Sequence, residues 1–202
     1  RVVYQPLGVV GIMVPFNYPL GLGVEPLITA LAAGNRAMIK MSELTPRIAE
    51  LLGEILRKGF DEDRVAVITG EVDIAKAFSE LSYNHILFTG SIPVGKQVMR
   101  AASENLTPVT LELGGKSPVI IADDIPLDDI IDRIVFAKSL NGGQTCVAPD
   151  YVLVPRAKMR PFLDAFKSTF KEMYPAVNAN LDYTSVINQR NYQRLQDWLL
   201  DA

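Results

Sequence analysis

Three side chains in this sequence are of the types that work on a carbonyl carbon: a thiol, a carboxylate and an amide. Cys146 is the only cysteine among 202 residues and sits in Asn141-Gly-Gly-Gln-Thr-Cys-Val-Ala-Pro149. A lone cysteine is by type more often a small buried hydrophobe than a reactive group. Here an apolar helical pattern stops at Leu140, two glycines follow, and the four residues before the thiol have little to pack. Cys146 is therefore expected on a loop at the rim of a scaffold, where a nucleophile belongs and backbone can approach a substrate. Glu112 is flanked by Leu111 and Leu113; an apolar setting would raise its pKa toward the range of a general base, and a paired structural carboxylate is the alternative. Asn17 stands at the apex of Pro15-Phe-Asn-Tyr-Pro19. Its amide hydrogens could serve an oxyanion, or its side chain could only shape the turn.

A second group of residues is of the kind that holds an anion or a sugar. Lys40 and Glu43 follow a strand-like run and fall at its carboxyl end, where open parallel sheets bind ligands, although solvated surface charge is the simpler reading of either one. In Phe88-Thr-Gly-Ser-Ile-Pro-Val-Gly95 the chain turns from a strand into a helix. Gly90 allows close approach of the backbone, Ser91 offers a hydroxyl, and Pro93 can open a helix whose N-terminus favours a phosphate. The spacing from Gly90 and Ser91 to Gly95 is not the usual G-x-G-x-x-G fingerprint, and glycine and serine also fill ordinary turns.

The elements that must position these groups alternate. Strand-like runs at 9–14, 36–41, 65–69, 85–89 and 108–113 are separated by helical patterns at 25–33, 48–56, 73–81 and 93–103, with Thr45 expected as a cap and Pro46 at a first helical position. Such alternation predicts right-handed crossovers and a doubly wound, Rossmann-like parallel sheet. Leu111-Glu-Leu-Gly-Gly-Lys116 reads as a domain crossing, so residues 1–113 form one α/β domain and 114–202 the first part of a second. In the latter, a helix over 127–140 delivers the chain to Cys146, a strand follows at 151–154, and helices span 161–174 and 188–200. The aromatic stripe of Phe162, Phe166 and Phe170 is read as core. His85, the single histidine, is read as structural.

Composition excludes several functions. The net charge of −3 with mixed signs gives no basic stripe for nucleic acid. One cysteine rules out an internal disulfide and a cysteine-built zinc centre, no metal site is expected, and a free thiol fits a reducing, cytoplasmic setting. Residues 6–34 carry a single charge, Glu25, and would score as a membrane span, but Pro15, Pro19 and Pro26 break any continuous helix through them.

Taken in order, Pro-Phe-Asn-Tyr-Pro, Ile-Lys-Met-Ser-Glu, Phe-Thr-Gly-Ser, Leu-Glu-Leu-Gly-Gly-Lys and Gly-Gln-Thr-Cys resemble the motifs of the NAD(P)-dependent aldehyde dehydrogenase superfamily along the whole chain. Pro-Phe-Asn-Tyr-Pro-Leu and Ile187-Asn-Gln-Arg190 are most similar to its class 3-like branch, which includes coniferyl aldehyde dehydrogenases. The resemblance implies that the Cys146 thiolate attacks an aldehyde and that Asn17, with the Cys146 N–H, holds the oxyanion. Glu112 would activate the water that hydrolyses a thioester. It further implies that Lys40 and Glu43 lie at the adenosine ribose and Ser91 at the pyrophosphate, with NAD preferred and NADP possible because a carboxylate at Glu43 repels a 2′-phosphate. Members of the superfamily are much longer, and the Glu-x-Phe-Gly-Pro motif that grips the nicotinamide ribose has no counterpart before Ala202. The chain is therefore expected to be a fragment, inactive or weakly active alone, of a homo-oligomeric enzyme acting on a small aromatic aldehyde. A coenzyme A-acylating relative and a catalytically silent one are the rival readings.

Overall fold

The computed structural model describes residues 1–202 and divides into two compact units, Arg1–Gly114 and Gly115–Ala202. In the first unit the elements run β1 (Val9–Met13), α1 (Gly21–Ala32), β2 (Arg36–Lys40), α2 (Pro46–Arg57), β3 (Val65–Ile68), α3 (Val72–Ser79), β4 (His85–Thr89), α4 (Ile92–Ser103) and β5 (Val109–Glu112). The strands form a five-stranded sheet in the order β3-β2-β1-β4-β5, and every pairing is parallel. This is the doubly wound, Rossmann-like arrangement the alternation predicts.

Alternation along each strand sorts the core onto two faces. Val10, Ile12 and Val14 join Ala37, Ile39 and Val65 under Leu27 and Ala30 of α1 and Ala49 and Leu52 of α2. Met13, Ile86 and Phe88 face the other way, against Phe78 of α3 and Val98 and Ala102 of α4. The half of the sheet made by β4 and β5 keeps its remaining face more open, where His85, Leu87 and Thr89 are half-buried and Thr110 and Glu112 exposed. His85 meets Thr110 there, Nε2 to Oγ1 at 2.9 Å, consistent with a structural part.

Two local readings are corrected. Helix α1 starts at Gly21, so Pro26 lies inside it instead of in its first turn. Gly23 is buried there within 3.5 Å of Val14 from a Cβ position, so packing of the first turn against the sheet outweighs the hydrogen bond that Pro26 cannot donate. Thr45 occupies the N-cap position of α2 but makes no side-chain cap; its hydroxyl donates to the Ser42 carbonyl at 3.4 Å instead.

Tyr83 adds a measurable feature to this core. Its ring packs against Phe78 at 5.1 Å between centroids and lies where a Cβ on Gly11 would come within 3.1 Å. The residue is 6% exposed and its hydroxyl has no hydrogen-bond partner. Burial pushes the phenol well above its ordinary value of 10.0. The unfolded chain therefore sheds this proton near pH 10 while the native chain keeps it, so this contribution to stability falls as pH rises past that point. Tyr83→Phe removes an unsatisfied buried hydroxyl; it is expected to stabilise the fold by about 1 kcal/mol at neutral pH and to flatten the alkaline loss. Chemical denaturation at pH 7 and above pH 10 checks both.

In the second unit, β6 (Ser117–Ile120) and β7 (Pro149–Leu153) pair in parallel, joined through α5 (Ile131–Ser139) as a βαβ unit. Helices α6 (Met159–Met173) and α7 (Gln189–Asp201) follow. The helix expected over 127–140 is divided: a short 3-10 turn, Leu127–Asp129, is separated from α5 by Ile130 at φ −126°. The core here is Ile121, Ile131, Ile134, Val135 and Phe162, with Phe166 and Phe170 packed against it, so the aromatic stripe of α6 is core as read. No helix in the structure is long and apolar enough to cross a membrane.

Candidate active site

In the first unit, register places the sequence-derived candidates along one edge of the sheet. Lys40 pairs with Met13, Met13 with Phe88, and Thr89 with Glu112. Because the strands are parallel, the segments that follow them all emerge at the carboxyl edge. Asn17 follows β1, Glu43 follows β2, Gly90 and Ser91 follow β4, and Glu112 ends β5. The strand order reverses at β1 and β4, and a crevice at such a switch point is the place where doubly wound folds take a dinucleotide.

The β4–α4 turn is the candidate anion site at that edge. Ser91 is the N-cap residue of α4 with its side chain uncommitted to capping, and Pro93 lies in the first turn. The Gly95 N–H already donates to the Ser91 carbonyl at 2.9 Å, which leaves the Ile92 and Val94 amides as the donors at the positive end of a twelve-residue helix. Gly90 serves a further purpose that sequence alone does not reveal. A Cβ at that position would lie 2.5 Å from the Phe88 ring, and one at Gly95 would lie 2.8 Å from Leu113. Gly90 thus lets the turn close over its own strand, and Gly95 lets α4 pack against Leu113 just past β5.

Lys40 is neither a solvated charge nor a freely extended one. It is 3% exposed, and its ammonium donates to the Met41 carbonyl at 2.7 Å and the Gly70 carbonyl at 2.8 Å, tying the end of β2 to the loop that opens α3. Burial lowers its pKa, while Glu43, Glu71 and Asp73 pull the other way. Asn17 and Glu43 are half-buried. Glu112 departs from expectation: it is exposed. Leu111 and Leu113 turn into the core beside α4, so alternation sends the carboxylate away from the apolar side chains that flank it in sequence.

In the second unit Cys146 is exposed, as the sequence suggests. It occupies a tight turn closed by the Ala148 N–H donating to the Thr145 carbonyl at 3.1 Å. Approach to the turn is unusual in conformation: Asn141 (φ 54°), Gly142 (φ 62°) and Gly143 (φ 76°) are successive left-handed residues, two of them of the type that tolerates this region without cost. A Cβ on Gly115 would stand 2.8 Å from the Cys146 carbonyl oxygen, so the backbone at Cys146 requires a glycine there. Lys116 and Asp150 pair beside it at 2.6 Å.

By its sequence context Gln144 is a residue with little to pack, and the structure differs. It is half-buried; its amide nitrogen donates to the Asn141 carbonyl at 2.9 Å and to the Ser185 carbonyl at 3.1 Å, and its oxygen accepts the Ile187 N–H at 3.0 Å. The Asn141 carbonyl is a local partner, but the Ser185 carbonyl, forty-one residues away, and the Ile187 N–H come from a distant segment, so no local pattern announces the full set. No group of three or more His, Cys, Asp or Glu side chains is placed to hold a metal ion.

Comparison with known proteins agrees with the fold. The model of the aldehyde dehydrogenase family matches residues 1–202. A probable coniferyl aldehyde dehydrogenase of Pseudomonas aeruginosa is 58% identical over 202 residues, covering 100% of this chain and 42% of that protein. Among solved structures, the substrate-bound state of Staphylococcus aureus AldH superposes with a TM-score of 0.90 at 44% identity, over 96% of this chain and 43% of the other. A Mycobacterium tuberculosis aldehyde dehydrogenase complexed with NAD+ superposes with a TM-score of 0.88 at 33% identity, over 96% and 41%. The chain thus spans about 42% of the length of the first of these relatives.

Proposed function

The chain belongs to the aldehyde dehydrogenase family, and on that premise we propose that this protein oxidises an aromatic, coniferyl-type aldehyde to its carboxylic acid through a covalent intermediate on Cys146. The observation that carries this reading is the exposed thiol on a turn whose backbone lies close against Gly115 and whose approach is a left-handed run. Cys146 Sγ forms a bond to the aldehyde carbon, and the carbonyl oxygen becomes an oxyanion that the Asn17 amide and the Cys146 N–H stabilise. Loss of hydride from that carbon leaves a thioester. Glu112 takes a proton from water as it attacks, the C–S bond breaks, and the acid departs with the thiolate restored.

A nicotinamide dinucleotide, when bound, supplies the hydride acceptor. The switch-point crevice and the α4 N-terminus suit it: Ser91 with the Ile92 and Val94 amides would meet its pyrophosphate, and Glu43 would accept hydrogen bonds from its adenosine ribose. Glu43 also disfavours a 2′-phosphate, while Lys40 has donors engaged by two carbonyls, so we assign NAD over NADP. A free cysteine suits a reducing compartment, and we place the protein in the cytoplasm.

The aromatic substrate class follows the name of the Pseudomonas aeruginosa relative. Incubation of the full-length protein with cinnamyl-type and aliphatic aldehydes, NAD or NADP, and with or without coenzyme A, tests the proposal. The expected product is free acid whether or not coenzyme A is present, formed faster from the cinnamyl-type aldehydes and with NAD. Coenzyme A thioester would assign the acylating reaction instead, and the absence of any product would mark a silent relative.

A further inference from the structure

We infer that Gln144 is a positioning residue for Cys146: its amide staples the nucleophile's turn to the segment at 184–187. The inference rests on the reading of Cys146 as the nucleophile. Gln144 lies two residues before the thiol and one before the turn that carries it. A primary amide offers two donor hydrogens and an acceptor oxygen, and this one uses both kinds at once. The nitrogen bridges the Asn141 carbonyl, at 2.9 Å on the near side, and the Ser185 carbonyl, at 3.1 Å on the far side. The oxygen takes the Ile187 N–H at 3.0 Å.

The same segment meets the approach to the turn at a second point. A Cβ on Gly142 would stand 2.6 Å from the Thr184 carbonyl oxygen, so the backbone at 184 lies directly against the left-handed run. Beyond Ile187 the segment is itself anchored, because Asn188 caps α7 by accepting the Asn191 N–H at 2.9 Å. The turn bearing Cys146 is therefore tied through Gln144 to a helix N-terminus, and Ile187-Asn-Gln-Arg190 gains a physical role: it presents one amide to the staple and a cap to the helix. An exposed thiol on a glycine-rich approach has backbone freedom that works against a fixed angle of attack, and the staple removes it.

No other side chain replaces this set. Gln144→Glu keeps the length and the acceptor but turns a carboxylate toward two carbonyl oxygens, and Gln144→Met keeps only the length. In the full-length protein both are expected to lower kcat by about 10²-fold, the scale of an ångström's misplacement of a reacting group. Aldehyde KM and NAD affinity should hold within about twofold, and alkylation of Cys146 by iodoacetamide, followed by peptide mass, should change in rate. Ile187→Ala, which retains the amide hydrogen, is the control and should behave as wild type. Unchanged kcat and unchanged alkylation in both Gln144 variants overturn the inference. So does a joint collapse of turnover and NAD binding in both, since that marks general loss of fold. Failure of the underlying reading looks different: Cys146→Ala would then retain turnover, whatever the Gln144 variants do.

Discussion

In the full-length protein Cys146→Ala is expected to abolish the proposed aldehyde oxidation, lowering turnover by about 10⁴-fold or more, and to leave NAD affinity essentially where it was. The size follows from removal of the atom that forms the covalent bond, which acid–base or electrostatic assistance cannot replace. The selectivity follows from the architecture, because the candidate dinucleotide residues Glu43, Gly90 and Ser91 belong to Arg1–Gly114, whereas Cys146 belongs to Gly115–Ala202. Stability should barely move, since the thiol is exposed and truncating a surface side chain usually alters stability by less than about 0.5 kcal/mol. Steady-state assay beside calorimetric titration with NAD separates these effects. Substantial turnover by Cys146→Ala in the absence of any other reactive thiol would refute covalent catalysis at this position.

The contrast between what the sequence discloses and what it hides has a physical basis. Strand–helix alternation is a local signal, and it yielded the parallel sheet and the edge on which Asn17, Glu43 and Ser91 lie, while the end of the apolar pattern at Leu140 and the glycines after it yielded the exposure of Cys146. The residues misread were those whose surroundings come from afar. Lys40 looks like surface charge until the Gly70 carbonyl is folded against it, and Gln144 looks idle until the Ser185 carbonyl arrives. Glu112 erred in the opposite direction: its leucine neighbours suggested burial, but in a strand adjacent residues face opposite sides, so Leu111 and Leu113 say nothing about the carboxylate's surroundings. The two glycines of the β4–α4 turn show the same limit from another side. Their types signal a close approach, but only packing identifies Phe88 and Leu113 as what approaches.

Glu112 carries the second large prediction, because its exposure separates chemistry from packing. Its backbone is held in the ladder, with its carbonyl accepting the Gly90 N–H at 3.0 Å, so Glu112→Gln changes the side chain alone and the strand should stay in register. Glutamine has nearly the same shape but cannot take a proton from water. On the proposed mechanism, attack by Cys146 and loss of hydride do not require that base, whereas thioester hydrolysis does. The variant is therefore expected to release one equivalent of reduced cofactor per active site in a rapid burst, then slow by about 10² to 10⁴-fold, the usual contribution of a general base. Intact-mass analysis after the burst should find the acyl group on Cys146. Added hydroxylamine, a nucleophile that needs no such activation, should release it as the hydroxamate and restore part of the steady rate. A structural carboxylate predicts another pattern, with no burst, no adduct and a rate altered only as far as stability is. If Glu112→Gln turns over like wild type, the water must be activated by some other group, and the preference argued above for acid over coenzyme A thioester loses its chemical ground.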